Sequence, residues 1–328
     1  MNLLNIPVFG FSLFFTCLLV TSCSDEPISP DISEDRFSEA EALSRKVKSG
    51  VQTLDDGSKF YGEMVKGVPN GYGKKEFLNG DVYEGQFKKG LRHGHGTLRI
   101  KKDAILERYS GMWASDRWDG FGTLSLTDGS RITGKWKDNG LEYGDYQGSD
   151  GAIKSGKWQG NWEYLDEGYV KNKFGAEFTG TLGPNGGYEK GFLQNSNGDR
   201  YTGTFSNNQY DGMGILEKAD GDRYVGGFSE NLYSGVGTLR EADGTKYSGQ
   251  FKEGNPHGFG ILEDSRGIKY SGEWQLGLRE GFGSIDFGDG TSYVGQFRNG
   301  LAYEGNYDWG NGEITQSYQD AEGNWKDR

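Results

Sequence analysis

Cysteine is almost missing from this chain. Cys17 and Cys23 are the only two among 328 residues, which leaves no disulfide framework and no thiolate zinc site to organise a fold. Basic charge is short as well: 36 Lys and Arg face 48 Asp and Glu, for a formal net charge of −12. Phosphate binding needs a basic footprint, so the balance argues against nucleic acid as a partner and weakens broad contact with anionic lipid. Apolar residues make up only 33% of the chain, too little for a compact aliphatic core at this length. No Gly-x-x-x-x-Gly-Lys-Ser/Thr phosphate loop occurs, and the three histidines are His93, His95 and His257. His93 and His95 stand at i and i+2, a spacing that presents two imidazoles on one strand face. His93 and His257, however, fill a place held elsewhere by Asn70, Asp119, Asp211, Ser234 and Glu280, so the place reads as a polar residue before a structural glycine. No carboxylate pair is set apart from the others. The sequence marks no catalytic residue, no metal ligand and no cofactor site.

What is abundant is glycine, with 57 residues, and aromatic side chains, at 14%. They recur in register. Tyr201–Phe205, Tyr224–Phe228, Tyr247–Phe251, Tyr270–Trp274 and Tyr293–Phe297 each spell aromatic, any residue, glycine, any residue, aromatic. The central glycines Gly203, Gly226, Gly249, Gly272 and Gly295 are 23 residues apart. Gly-x-Gly pairs follow the first four, at Gly212/Gly214, Gly235/Gly237, Gly258/Gly260 and Gly281/Gly283. Earlier copies centre on Gly62, Gly85, Gly111, Gly134, Gly156 and Gly180. A fixed period of this size is the mark of a repeat array, in which each unit buries one face against its neighbour.

Just before most copies stands an Asx-Gly pair, such as Asp56-Gly57, Asp128-Gly129, Asp220-Gly221 and Asp243-Gly244. Asx-Gly between alternating segments predicts a hairpin turn with positive φ at both positions. Each unit is then two short antiparallel strands. Alternation puts Tyr224, Gly226 and Phe228 on one face, and both glycines of each Gly-x-Gly pair leave room for the aromatic of the next unit. The expected stacking residues are Tyr201, Gly203, Phe205, Tyr224, Gly226, Phe228, Tyr247, Gly249, Phe251, Tyr270, Gly272 and Trp274. The fold class is therefore all-β, an elongated single-layer array of β-hairpins with a short N-terminal helix. About eleven units at roughly 4.8 Å per strand give a rod about 100 Å long.

The unit resembles the MORN repeat, whose pattern is approximately Tyr-Glu-Gly-x-Trp, a polar turn, then His-Gly-x-Gly. Tyr83-Glu84-Gly85-Gln86-Phe87 with His93-Gly94-His95-Gly96, and Tyr247–Phe251 with His257-Gly258-Phe259-Gly260, carry the likeness. It extends over residues 51–305. The resemblance implies an assembly platform that binds a protein partner, with self-association and phospholipid contact as further properties, and no catalytic residue.

The N-terminus reads as an address. Residues 1–22 resemble a signal peptide whose apolar run, Ile6 to Val20, is short for a bilayer span. It ends Leu19-Val20-Thr21-Ser22-Cys23, which resembles a bacterial lipobox and implies lipidation of Cys23 and a membrane anchor. Met1–Asn5 departs from that pattern in having no Lys or Arg. Ser24 in place of Asp resembles an outer-membrane sorting signal, and Asp25-Glu26 resemble a surface-export signal. Residues 23–50 then hold the lipidated cysteine, a Ser/Pro/acid-rich tether and a capping helix over 34–48, where Phe37, Ala40, Leu43 and Val47 share a stripe.

Residues 51–138 and 196–310 keep the code, 139–195 are degenerate, and 311–328 form a C-terminal cap or tail. In the degenerate stretch Gly-x-Gly pairs are lost, and Trp158, Trp162, Tyr164 and Tyr169 gather beside Asp166 and Glu167. That cluster reads either as drift or as a binding surface, since aromatics beside carboxylates suit protein or sugar faces. The function expected first is a non-enzymatic, membrane-tethered scaffold binding a protein in a bacterial cell envelope. A carbohydrate-binding or carbohydrate-processing lipoprotein using the 158–169 cluster is the alternative, and a phospholipid-contacting module the third.

Overall fold

The computed structural model describes residues 51–160 and 164–327. The expected signal peptide, Cys23, tether and helix over 34–48 lie outside the described residues. Among the described residues every regular element is a β-strand. Consecutive strands pair antiparallel without interruption from Gln52–Thr53 to Trp325–Asp327, making one open sheet of 25 strands. Among the described residues the first strand and the last each pair on one side only.

A row of glycines crosses this sheet. Gly203, Gly214, Gly226, Gly237, Gly249 and Gly260 oppose one another in turn. The same succession runs back to Gly62 and forward to Gly305, one glycine from every strand between. It stops at Ser317, which is buried and hydrogen-bonds Asp327.

The reason is the tyrosine. Tyr224 lies over its own hairpin, with its ring so close to Gly237 that a Cβ there would fall 2.3 Å from the Tyr224 hydroxyl. The ring thus comes from the same unit, not from the next one as the repeat pattern predicts. Its hydroxyl donates to the Gly227 carbonyl at 3.0 Å, where the ladder slips just past Gly226. A buried phenol needs such a partner, and the bulge supplies it. Tyr83, Tyr109, Tyr201, Tyr247, Tyr270 and Tyr293 repeat the bond three residues on.

Contact between units falls to the second aromatic. Phe228 meets Tyr224 edge-on at 5.0 Å and Tyr201 of the preceding unit at 5.1 Å. Phe251, Trp274 and Phe297 bridge in the same way to Tyr224, Tyr247 and Tyr270. Each edge-to-face pair contributes about 0.5–1.5 kcal/mol beyond area burial. Where the residue is Trp, its indole N–H also donates to a row glycine carbonyl, as Trp274 does to Gly260 at 3.2 Å.

The Gly-x-Gly pair therefore has two separate causes. Gly237 admits the ring, whereas Gly235 has open space around its Cβ position and a φ of +66° inside the bulge. The turns also differ from expectation. Asp243 is not at positive φ; only Gly244 is, and Gly244 N–H donates to Glu241 while Glu241 N–H donates to Thr245. That is a three-residue loop with a glycine bulge. Asp243 is there for its carboxylate, which accepts the Thr245 N–H at 2.8 Å. Two-residue turns with positive φ at both positions lie at the other end of the regular hairpins, as at Glu230–Asn231 and Asn207–Asn208.

The described residues of 139–195 stay within the sheet. Gly134 opposes Gly144 and Gly156 opposes Gly168, so the row survives. The Gly-x-Gly pair is missing because the slip there skips one residue, Glu142 or Asp166, rather than two. Past Gly305 the tail adds the strands Ile314–Gln319 and Trp325–Asp327, and Trp325 closes the aromatic row 4.9 Å from both Tyr293 and Tyr307.

Candidate functional site

Of the cluster expected over 158–169, the described members do not share one face. Trp158 is 7% exposed and donates its indole N–H to the Gly144 carbonyl at 2.8 Å, so it is a stacking residue rather than a surface for sugar rings. Trp162 lies outside the described residues. Tyr164 and Val170 line a cavity of about 420 Å³ with Lys154, Leu182 and Tyr188. Tyr169 is one residue removed from Val170 and opposes Ser155 and Thr179, which puts it on the other face. Burial and the neighbouring Glu177 raise its phenol above the usual value.

A position passed over in the repeat pattern shapes the tyrosine face: the residue seven past each central glycine. In three complete units it is aromatic and lies flat on the tyrosine, with Tyr233 on Tyr224 and Tyr210 on Tyr201 at 3.9 Å, and Trp118 on Tyr109 at 4.5 Å. In two units it is arginine. Arg92 sits over Trp113 at 4.4 Å and Tyr83 at 5.9 Å, and Arg279 over Tyr270 at 5.6 Å and Phe297 at 5.7 Å. Arg92 is anchored: its Nε and backbone N–H both donate to Asp116 Oδ1, at 2.8 and 2.9 Å. Arg279 borders a second cavity, of about 410 Å³, with Leu262, Leu278, Ile285 and Phe287 in its wall. Burial lowers the Arg279 guanidinium below its usual value, with the Tyr270 phenol opposing in part.

On the opposite face the residue between the paired glycines points outward. Met213, Val236, Phe259 and Phe282 form one exposed apolar row, with Val236 at 69% and Phe259 at 67% exposure. Gly227, Gln250, Glu273 and Gln296 stand between them, across the ladder. Alternation alone carries the signal: x in Gly-x-Gly is one residue off the glycine face, so an apolar x has no place in the stack.

Titratable chemistry on the tyrosine face is muted. Burial pushes Tyr201, Tyr224, Tyr247 and Tyr270 up to about 12. Among the described residues no group of three or more His, Cys, Asp or Glu is placed to hold a metal ion. His257 keeps a buried Nδ1 without a partner, at the polar place before Gly258.

The MORN repeat family model matches residues 60–82, 83–102, 109–131, 201–223, 224–246, 247–268, 270–292 and 293–302. The chain is similar to alsin from Rattus norvegicus, 30% identical over 94 residues, which are 28% of this chain and 6% of that protein. It is similar also to MORN repeat-containing protein 3 from Xenopus laevis, 36% identical over 73 residues, 20% of this chain and 29% of the other. The chain thus spans a minor part of the relatives it matches. The solved SAS-4 (dCPAP) TCP domain in complex with a proline-rich motif of Ana2 (dSTIL) of Drosophila melanogaster aligns over 53% of this chain and 88% of its own, with 12% identity and a TM-score of 0.30.

Proposed function

Because the chain belongs to the MORN-repeat family, we propose that it is a non-enzymatic repeat scaffold that holds a protein partner, tethered in a bacterial cell envelope through lipid on Cys23. The observation that carries this reading is the exposed row of Met213, Val236, Phe259 and Phe282. The units already stack through the opposite face, so these side chains add nothing to the array by staying in water. Apolar side chains repeated along one exposed face mark a contact surface. The residues between them bring no positive charge, and the whole chain is at −12, which suits a protein surface better than anionic lipid. The lipobox-like ending at Cys23, with Ser24 behind it, supports a tether in the outer membrane.

A photo-crosslinking residue in place of Val236, in the full chain in its own cells, captures a discrete protein. Phe259→Glu reduces that capture by about tenfold or more, the scale of one interface anchor, and leaves the circular dichroism spectrum unchanged. Equal capture with and without Phe259→Glu removes this face as the binding surface. Palmitate incorporation that vanishes in Cys23→Ala tests the tether; incorporation that persists refutes it.

A further inference from the structure

The two arginines of the tyrosine face occupy equivalent places, yet among the described residues only Arg92 has a carboxylate partner. Arg92 uses Asp116, the second residue of the turn in the following unit, whose N–H also donates to the Arg92 carbonyl at 3.1 Å. The matching turn residue for Arg279 is Gly300, and its N–H donates to the Arg279 carbonyl at 2.9 Å. The backbone contact is kept and the carboxylate is deleted.

Among the described residues nothing nearby replaces it. Asp264, on the rim of the same cavity, is held by Arg266 at 2.7 Å. Glu280 accepts the Asn299 N–H at 2.9 Å, and Glu273 the Phe282 N–H at 3.1 Å. Gln319 is occupied by Ala302 and Gly323. Among the described residues no carboxylate lies within ion-pair distance of Arg279. The guanidinium is half-buried against two rings, beside an apolar wall, in a chain whose charge is otherwise strongly negative.

We propose that the cavity at Arg279 receives an aspartate or glutamate side chain from an extended partner peptide, in the place that Asp116 fills beside Arg92. A planar guanidinium fixed by aromatic rings is preorganised for a carboxylate, and bonds to charged groups are the strong ones. The wall of Leu262, Leu278, Ile285 and Phe287 selects an aliphatic neighbour for the acid. This rests on the scaffold reading but uses the face opposite the Val236 row.

The test pans a random twelve-residue peptide phage library on the full chain. The expected result is enrichment of peptides with Asp or Glu beside Leu, Ile or Val. Resynthesised with amidated ends, they bind about tenfold or more tightly than their Asn or Gln counterparts. Arg279→Gln loses binding, and Arg279→Lys restores part of it. Gly300→Asp is the sharper variant, because it rebuilds the internal partner. Asp116 already occupies the equivalent place at φ +68° against +84° at Gly300, and a Cβ at Gly300 would meet only Leu278, at 3.8 Å. Gly300→Asp therefore folds and abolishes peptide binding. Selected peptides that bind Gly300→Asp as well as the parent chain overturn the site and leave the scaffold reading standing. A library that yields no acidic peptide overturns it too, and crosslinking from Val236 then judges the scaffold separately. Sodium octanoate bound by the parent chain and not by Gly300→Asp, with no acidic peptide selected, moves the site to free fatty acids and ends the peptide assignment.

Discussion

Gly226 and Gly237 oppose each other across one hairpin so closely that a Cβ on Gly226 would lie 2.6 Å from the Gly237 Cα. Tyr224 fills the space both glycines leave. A methyl group on either must displace a buried ring or the facing strand, and neither is a free end. Gly237→Ala is expected to cost about 1–3 kcal/mol, the range for overpacking a tight site, while Val236→Ala next to it stays within about 0.5 kcal/mol. Urea unfolding midpoints of the two variants check this; equal midpoints would show that the row is not a packing requirement.

The tyrosine hydroxyl has its own share. Tyr224→Phe keeps the ring and leaves the Gly227 carbonyl without its donor at the bulge. A loss of about 1 kcal/mol is expected, against about 3–5 kcal/mol for Phe228→Ala, which removes the edge-to-face bridge to Tyr201. Thermal melts that rank the two the other way would contradict the assignment of inter-unit contact to the second aromatic.

The turns supply a prediction of opposite signs. Glu230 stands at φ +51° in a two-residue turn, a conformation that disfavours a side chain by roughly 1 kcal/mol. Glu230→Gly should therefore raise stability. Asp243→Gly should lower it, because the carboxylate on the Thr245 N–H is lost. Stabilisation by both would mean that the Asx-Gly turn is of the doubly positive type after all.

Alkaline pH should dissolve the array. Tyr201, Tyr224, Tyr247 and Tyr270 rise from the ordinary 10.0 to about 12 because burial disfavours phenolate. A raised folded-state pKa means that the unfolded chain ionises first. The stability these groups contribute is complete below pH 10 and drains away as pH climbs through about 12. Phenolate absorbance and far-ultraviolet circular dichroism should change together, in one transition. Full tyrosine ionisation with the strand signal intact would show that the rings are accessible.

Much of this was legible in one dimension. The 23-residue spacing of Gly203 to Gly295 and strand alternation assigned Tyr224, Gly226 and Phe228 to one face, and the sheet keeps them there. The candidate site was less legible. Trp158 looked like a surface residue because its Gly-x-Gly partner was missing, yet a one-residue slip at Asp166 keeps Gly168 in the row and Trp158 under it. Arg279 carried no signal by itself; its meaning comes from Gly300, 21 residues on.

The sequence alone determined that the chain makes hairpins and that aromatics sit above glycines, because period two and period 23 are properties of the covalent order. Only the tertiary structure decided whose ring covers which glycine, which turn carries two positive φ values, and that among the described residues Arg279 lacks the acid Arg92 has. Those outcomes depend on bulges, which slip the register between strands. A slip is settled by packing across the sheet rather than by neighbours along the chain.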